Sequence, residues 1–420
     1  MMFIKNYSEL ATNKLRKDAL DIVVTGIEAA DPAVILRKKV FVDGSFLKAG
    51  KSRVDLSKYK NIYIVGAGKA SFRAAKFLEG IMLDYITAGV ILDVKVGKLK
   101  KIECYEGSHP FPTKGNIEAT SKLTDILKAA RKNDLVIALI SGGGSSLLCD
   151  PYKMTCNDIK SATKSFFSKG ADIKEINILR KHISKIHGGY MAKLAYPADV
   201  LGLIFSDVPF SDISLVASGP TFMDKTTKDD AKKIAEKYGI SGVSLIETPK
   251  DKKYFEKTRN ELILSNKDAL KAMKDKAEEK GYKTEVCGAC LKGEARELAS
   301  KLVERLKKNK VLLGGGETTV TIEKKGKGGR NLEVAIGVID YLPENSIVVS
   351  MASDGKDHIS GVGGGLVDEE VIKKAKELNY DHNEFLRNNI SYKFMKDTGG
   401  LIESRRTGTN VSDLVVMLKA

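Results

Sequence analysis

Residues 134–151 read DLVIALISGGGSSLLCDP: an unbroken apolar run halts at Ser141-Gly142-Gly143-Gly144-Ser145-Ser146 before leucines resume. The same junction recurs. Residues 61–65 (NIYIV) run into GAGKAS, residues 311–313 (VLL) into GGGETT, and residues 346–349 (SIVV) into a turn holding ASDGKDH. Strand-like runs alternate with segments of helical periodicity, notably at 70–82 and 115–131, and residues 199–205 form a further buried-looking strand. A β-loop-α rhythm of this kind predicts a parallel sheet covered on both faces. Ligands of such sheets sit at the carboxyl ends of the strands, which is where these glycine loops fall.

At 420 residues the chain exceeds one ordinary domain. The pattern predicts an α/β protein of two domains, one over 1–241 and a smaller one over 242–420. The boundary is set by a softer stretch, 220–254, after which residues 261–264 restart the rhythm. Residues 412–418 read as a last strand that could return to either sheet. No window reaches the roughly 20 apolar residues of a membrane span, and the opening residues lack the pattern of a signal peptide. A soluble cytoplasmic protein is therefore expected, without a membrane partner.

The net charge of +16 asks for acidic partners. Most lysines alternate with acids at helical spacing, however, as on solvated faces. Aromatic content is 7% with no tryptophan, too little for base-stacking platforms, so nucleic acid is not expected. Phosphorylated small molecules remain. Five scattered cysteines imply no disulfide framework, and Cys287-Gly-Ala-Cys290 has no second pair to complete a zinc site.

Gly66-Ala67-Gly68-Lys69-Ala70-Ser71 supplies the first two glycines of a dinucleotide fingerprint, with Ser71 at the third place and Asp93 available as a ribose-binding acid. Lys69 argues for a phosphate or carboxylate oxygen instead, because its ammonium adds to the positive end of the helix that follows. A surface lysine at a tight turn would look the same. In SGGGSS, consecutive N–H groups can converge on an anion and serine hydroxyls add donors. Leu147 after Ser146 excludes the G-x-S-x-G nucleophile elbow, and no P-loop is present. GGGETT brings Glu317, and the glycines of residues 326–329 deliver Arg330, whose planar fork suits an oxyanion. Asp354 and Asp357 offer carboxylates for Mg²⁺. Together the loops predict an anionic ligand between two α/β domains.

In order along the chain stand GAGKAS, GSHPFP (107–112), SGGGSSLL, LRKHISKIHGG (179–189), SDVP with ASGPT, GGGETTVTI with GKGGRN, and TGTNVSDL (407–414). In this the sequence resembles the glycerate 2-kinases of the two-domain class whose second half is the MOFRL domain, over nearly its whole length. The resemblance implies ATP-dependent phosphorylation of D-glycerate at its 2-hydroxyl, with Mg²⁺ or another divalent cation, and a Rossmann-like α/β/α first domain with an inter-domain cleft; a monomer or homodimer is expected. It also implies that Lys69 and Arg330 are catalytic, and that Gly66, Gly68, the SGGGSS residues, Glu317 and Asn331 bind phosphate or substrate. Asp207 and Asp354 are the candidate metal ligands or hydroxyl-orienting groups; His109 and His182 lie in motif segments without a chosen role. Three departures stand out: Leu332 where the family has glutamine, Ser360-Gly361 for threonine and aspartate, and Arg405-Arg406 for Gly-Pro.

The expected mechanism aligns the hydroxyl with the γ-phosphate and neutralises charge through Lys69 and Arg330. Two other readings fit some of these residues. One is an NAD(P)H-dependent hydroxypyruvate reductase using GAGKAS and Asp93; the other is a non-catalytic phosphosugar sensor using SGGGSS.

Overall fold

The computed structural model describes residues 3–169, 172–206, 212–288 and 291–420. The chain divides into two compact units, one of residues 35–206 and 212–264, the other of residues 3–34 and 265–420. The division therefore falls after residue 264 rather than at 241, and the N-terminal segment joins the later unit. Among the described residues no helix is long and apolar enough to cross a membrane.

The first unit holds a six-stranded sheet: β1 (Asn61–Ala67), β2 (Ala88–Asp93), β3 (Ile102–Glu106), β4 (Asp134–Ser141), β5 (Asp199–Phe205) and β6 (Thr258–Leu264). Every pairing is parallel, and the order is β3-β2-β1-β4-β5-β6, that of a doubly wound sheet. All eight residues of β4 are buried, as its unbroken apolar run demands of a central strand. Strand β6 explains the displaced boundary: it restarts the rhythm only to pair with β5. A three-stranded antiparallel meander over residues 40–55 precedes the sheet.

The second unit has another six-stranded sheet, made of β7 (Lys283–Val286), β8 (Lys310–Gly316), β9 (Ser346–Ala352), β10 (Val362–Val367), β11 (Leu401–Glu403) and β12 (Asp413–Lys419). Its order is β7-β8-β12-β9-β10-β11, and only β7 with β8 is parallel. The expectation of a parallel sheet fails here. The last strand inserts at the centre, antiparallel to β8 and β9, and so settles which sheet it joins. That register sets Asp413 opposite both Gly316 and Ala352, at the carboxyl ends of β8 and β9.

The helix Lys14–Ala29 is capped by the Asn13 side chain, which accepts from Arg16 N at 2.9 Å. It packs on the helix Asn266–Glu279 so closely that a Cβ on Gly26 would lie 2.5 Å from Met273 Cγ. Buried Arg16 grips Asp368 through two bonds of 2.6 and 2.7 Å, and Lys280 holds Asp18 and Asp21 at 2.7 and 2.9 Å. These partners are more than 250 residues away, so the periodicity of the helix could not name the sheet it covers. Cys287 is disulfide-bonded, although the scattered cysteines implied no disulfide framework; Cys290 lies outside the described residues. Cys104, Cys149 and Cys156 are free.

Candidate functional site

In the first unit, Gly66 and Gly68 serve the sheet before any ligand. A Cβ on Gly66 would lie 2.6 Å from Leu139 O, and one on Gly68 2.5 Å from Ser141 O. Gly68 has φ +129°, open to glycine at little cost. The turn is then tied to β4: Lys69 N donates to Gly142 O at 2.9 Å and Ala70 N to Ser141 Oγ at 3.1 Å. The Ser141 hydroxyl is thus buried and engaged in positioning the turn. Asp93 is buried too; its carboxylate accepts from Phe72 N at 3.0 Å and Val94 N at 2.6 Å, which caps the helix Ser71–Met82. Burial pushes it up to about 6 against those bonds. A ribose-binding acid must face open space, and this one does not.

The SGGGSS loop closes into the short turn Gly144–Leu147 after Gly143, whose φ is +84°. The turn leaves the N–H groups of residues 144 and 145 without a helical acceptor. The stem of Lys69 crosses Gly143, where a Cβ would meet Lys69 Cγ and His109 Cδ2 at 3.3 Å. Lys69 is exposed and pairs with no carboxylate among the described residues. Ser145 Oγ lies 3.1 Å from Ser218 Oγ, which donates to Asn177 Oδ1 at 2.7 Å. Ala217 and Ser218 carry φ of +49° and +56°, a conformation that costs non-glycine residues about 1–3 kcal/mol each. The ASGPT segment is thus held under strain against the loop.

Three residues missed by sequence reasoning complete this end of the sheet. Asn116, fully buried, stitches GSHPFP to SGGGSS: its Oδ1 accepts from Ser108 N and Thr113 N, and its Nδ2 donates to the carbonyls of Ser108, Ser146 and Leu147. Arg180 and His187, both within LRKHISKIHGG, line a small pocket with Ser145 and Ser146. Burial, then the Arg180 charge, push His187 down to about 3; the Gly144 backbone opposes this without giving Nε2 a properly formed hydrogen bond. His109 is pushed down to about 4 by desolvation against the loop and then by Lys69 and Arg180. Its ring stands at an exposed rim, so the two cations rather than burial carry that direction. Both rings are neutral near pH 7. His182, by contrast, is fully buried on the Asp224 and Glu247 side, with Nε2 at 3.8 and 3.4 Å from their oxygens. Two of the missed residues had a signal, a cation and an imidazole in a motif segment. Asn116 had none.

In the second unit, Arg330 opens the helix Arg330–Ile336, but it is not a lone fork. Nε and Nη2 reach Asp413 Oδ2 and Oδ1 at 2.6 and 3.1 Å, and Nη1 donates to Glu317. Burial works against the guanidinium charge; Asp413 and then Glu317 outweigh it and hold Arg330 above its ordinary value. Burial pushes the Asp413 carboxyl up to about 7 against Arg330. The two shifts pull in opposite directions. A grip through both oxygens is the geometry of an ionised carboxylate, so the rise measures how much this burial costs. Asp413 itself sits in TGTNVSDL, a motif acid that sequence reasoning passed over.

Asn331 is buried; it accepts from Ser350 Oγ at 2.7 Å and donates to Asp357 Oδ1 at 3.3 Å. Asp357 accepts from Asn331 N and Leu332 N at 3.2 and 3.1 Å, so it caps the helix and is not open to a metal. Leu332, where the family has glutamine, is fully buried. Asp354 spends Oδ1 on Lys356 N at 2.9 Å. Among the described residues no group of three or more His, Cys, Asp or Glu side chains could hold a metal ion, and Asp207 lies outside them. The described residues do not form a preformed metal cage.

Comparison with known proteins shows the family. The DUF4147 family (domain of unknown function) matches residues 18–247 and the MOFRL family residues 310–413. A D-glycerate 2-kinase of Thermotoga maritima is 34% identical, covering 96% of this chain and 98% of the relative. The chain belongs to the glycerate 2-kinase family with a C-terminal MOFRL domain. A glycerate 2-kinase of Pyrococcus horikoshii is 35% identical, covering 96% and 97% of the two chains. The crystal structure of the Thermotoga maritima glycerate kinase superposes with a TM-score of 0.84 at 32% identity, over 96% of this chain and 99% of that one. Within this family's two-domain plan, the glycine loops occupy the carboxyl ends of both sheets.

Proposed function

We propose that this protein transfers the γ-phosphoryl group of ATP to the 2-hydroxyl of D-glycerate, giving 2-phosphoglycerate and ADP. Full-length relatives carrying that activity in their names support the substrate and the reaction. One observation on this chain carries the chemistry: the exposed Lys69, without a carboxylate partner among the described residues, laid across Gly143 at the mouth of SGGGSS. A strong point charge over a loop of small residues and free N–H groups suits phosphate oxygens.

Phosphoryl transfer asks for alignment and charge neutralisation rather than covalent work. Lys69 would meet a phosphate oxygen while the N–H groups of residues 144 and 145 donate beside it. Arg330 would keep Asp413, which fixes its plane, and exchange exposed Glu317 for a phosphate oxygen. Asn331, held by Ser350 and Asp357, keeps that helix start in place. A loose transition state needs little help in removing the hydroxyl proton, which suits a site whose histidines are neutral and weakly basic. A divalent cation such as Mg²⁺ would arrive with the nucleotide phosphates; Asp354 offers one free carboxylate oxygen, and no step here runs through the ion. Dependence on ATP fits a cytoplasmic enzyme.

The test is product identification. Incubation with ATP and D-glycerate should release ADP and give 2-phosphoglycerate by phosphorus NMR. Oxidation of NADH with hydroxypyruvate, and no ADP release with D-glycerate, would sink this reading in favour of the reductase, which the buried Asp93 already disfavours.

A further inference from the structure

The helix Ile173–His182 turns three consecutive basic side chains toward different surroundings. Lys181 reaches Asp224 at 3.0 Å and His182 lies beside Asp224 and Glu247. Arg180 faces the other way, into a pocket of ≈ 30 Å³ lined also by Ser145, Ser146, Ser184 and His187. That space holds a carboxylate-sized group, since one water needs roughly 10–15 Å³ by the same measure. It is far too small for a nucleotide.

Arg180 is half-buried and has no ion-pair or hydrogen-bond partner among the described residues. The one carboxylate lining the pocket, Asp150, is already held by Lys185 at 3.2 Å. Desolvation alone draws the Arg180 guanidinium down to about 10. A cation kept in such a place at a cost to folding is set up for an anion that arrives later. A second observation belongs to the same pocket: His187, one of its lining residues and 2% exposed, has a buried Nε2 without a formed hydrogen bond. Its Nδ1 lies 2.9 Å from Ser184 Oγ. If that hydroxyl donates, the ring proton sits on Nε2 and makes it a donor.

We propose that Arg180, with His187 Nε2 beside it, receives the carboxylate of the three-carbon hydroxy acid and makes the enzyme select an acid over a neutral polyol. The planar fork matches both carboxylate oxygens, and Ser145 and Ser146 close the wall nearest the glycine loop. Lys69, across Gly143, is then left for the phosphate. The inference rests on the glycerate kinase reading and adds to it the binding group for the acid.

The experiment compares wild type, Arg180→Gln and Arg180→Lys in ADP release with D-glycerate, and in thermal stabilisation by D-glycerate without nucleotide. Charged hydrogen bonds are worth about 1.5–3 kcal/mol, so Arg180→Gln should raise the KM for D-glycerate roughly 10- to 150-fold. KM for ATP should not move, stabilisation by D-glycerate should vanish, and Arg180→Lys should fall between. Since no ion pair is lost, both variants should fold. If they do not, wild type offered D-glyceramide in place of the acid should show a comparable rise in KM. An unchanged KM for D-glycerate in Arg180→Gln, a matching rise in the KM for ATP, or equal use of the amide each overturns the inference while the kinase reading stands. Wild type that is stabilised by D-glycerate, with loss in Arg180→Gln, but releases no ADP would keep the binding group and refute the kinase. Wild type that neither turns over nor is stabilised would refute both.

Discussion

Asn116 offers the sharpest test of how the SGGGSS loop is built. Replacing it with alanine removes one side chain that satisfies the N–H groups of Ser108 and Thr113 and the carbonyls of Ser108, Ser146 and Leu147. A net hydrogen bond contributes about 0.5–1.5 kcal/mol, and a buried group left unpaired costs about 1–3. The capping box at Thr113 is lost as well, typically ~1 kcal/mol. Water admitted to the gap would recover part of this, so Asn116→Ala should lower folding stability by about 2–4 kcal/mol in urea titration. Asn116→Asp separates the two halves of the contact. Its Oδ1 keeps the N–H groups of Ser108 and Thr113, while the carboxylate that replaces Nδ2 faces three carbonyl oxygens. Hydrogen exchange in the aspartate variant should therefore quicken over residues 144–148 and stay protected at 108 and 113. The reasoning is refuted if Asn116→Ala unfolds at the wild-type urea midpoint, or if the aspartate variant loosens both segments alike.

Lys69→Ala and Arg330→Ala should each keep the fold and lose most of kcat in an ADP-release assay; a transition-state arginine alone is worth about 10³–10⁵ in rate. Near-normal turnover in either would contradict the charge assignment. Arg330→Met should also cost stability, since Asp413 loses its counter-charge. The guanidinium is 33% exposed, so the loss should fall below the about 3–5 kcal/mol of a fully buried pair. Adding Asp413→Asn should restore much of it in urea titration, and no restoration would argue that Asp413 is not the group Arg330 compensates. Gly144→Ala would bring a Cβ to 2.7 Å from Ala217 Cβ and 2.9 Å from Ala67 O, an overpacking expected to cost about 1–3 kcal/mol. His187 has a folded pKa of about 3, below its ordinary 6.5. Below pH 6.5 the unfolded ring takes up a proton that the folded ring refuses, so stability falls with pH by about 1.4 kcal/mol per unit. His187→Gln should flatten that slope between about pH 6.5 and 4, as read from thermal midpoints.

The doubly wound sheet was legible because β1, β4 and β5 are unbroken apolar runs that end in glycine or polar loops, a local signal. The mixed sheet was not. Residues 362–367, VGGGLV, form β10 despite three glycines, because a Cβ at Gly363 or Gly364 would strike Met351 or Ser350 across the pairing. No propensity reports that kind of close approach. The site split in the same way. The glycine loops and the cations Lys69 and Arg330 stand out in one dimension. Which cation is already neutralised depends on an acid 83 residues away for Arg330, and on the absence of any such acid for Arg180 among the described residues. Sequence spacing carries neither fact.

The docking of Lys14–Ala29 onto Asn266–Glu279 bears on biosynthesis. The helix leaves the ribosome more than 230 residues ahead of the surface that buries Ala19, Leu20, Val23 and Ile27. At about 5–20 residues per second this is a delay of roughly ten seconds or more. Throughout that interval its apolar stripe has no native cover, while the intervening sheet can already close. Nascent chains arrested between these two points should expose a greasy, chaperone-binding handle that vanishes once translation is complete.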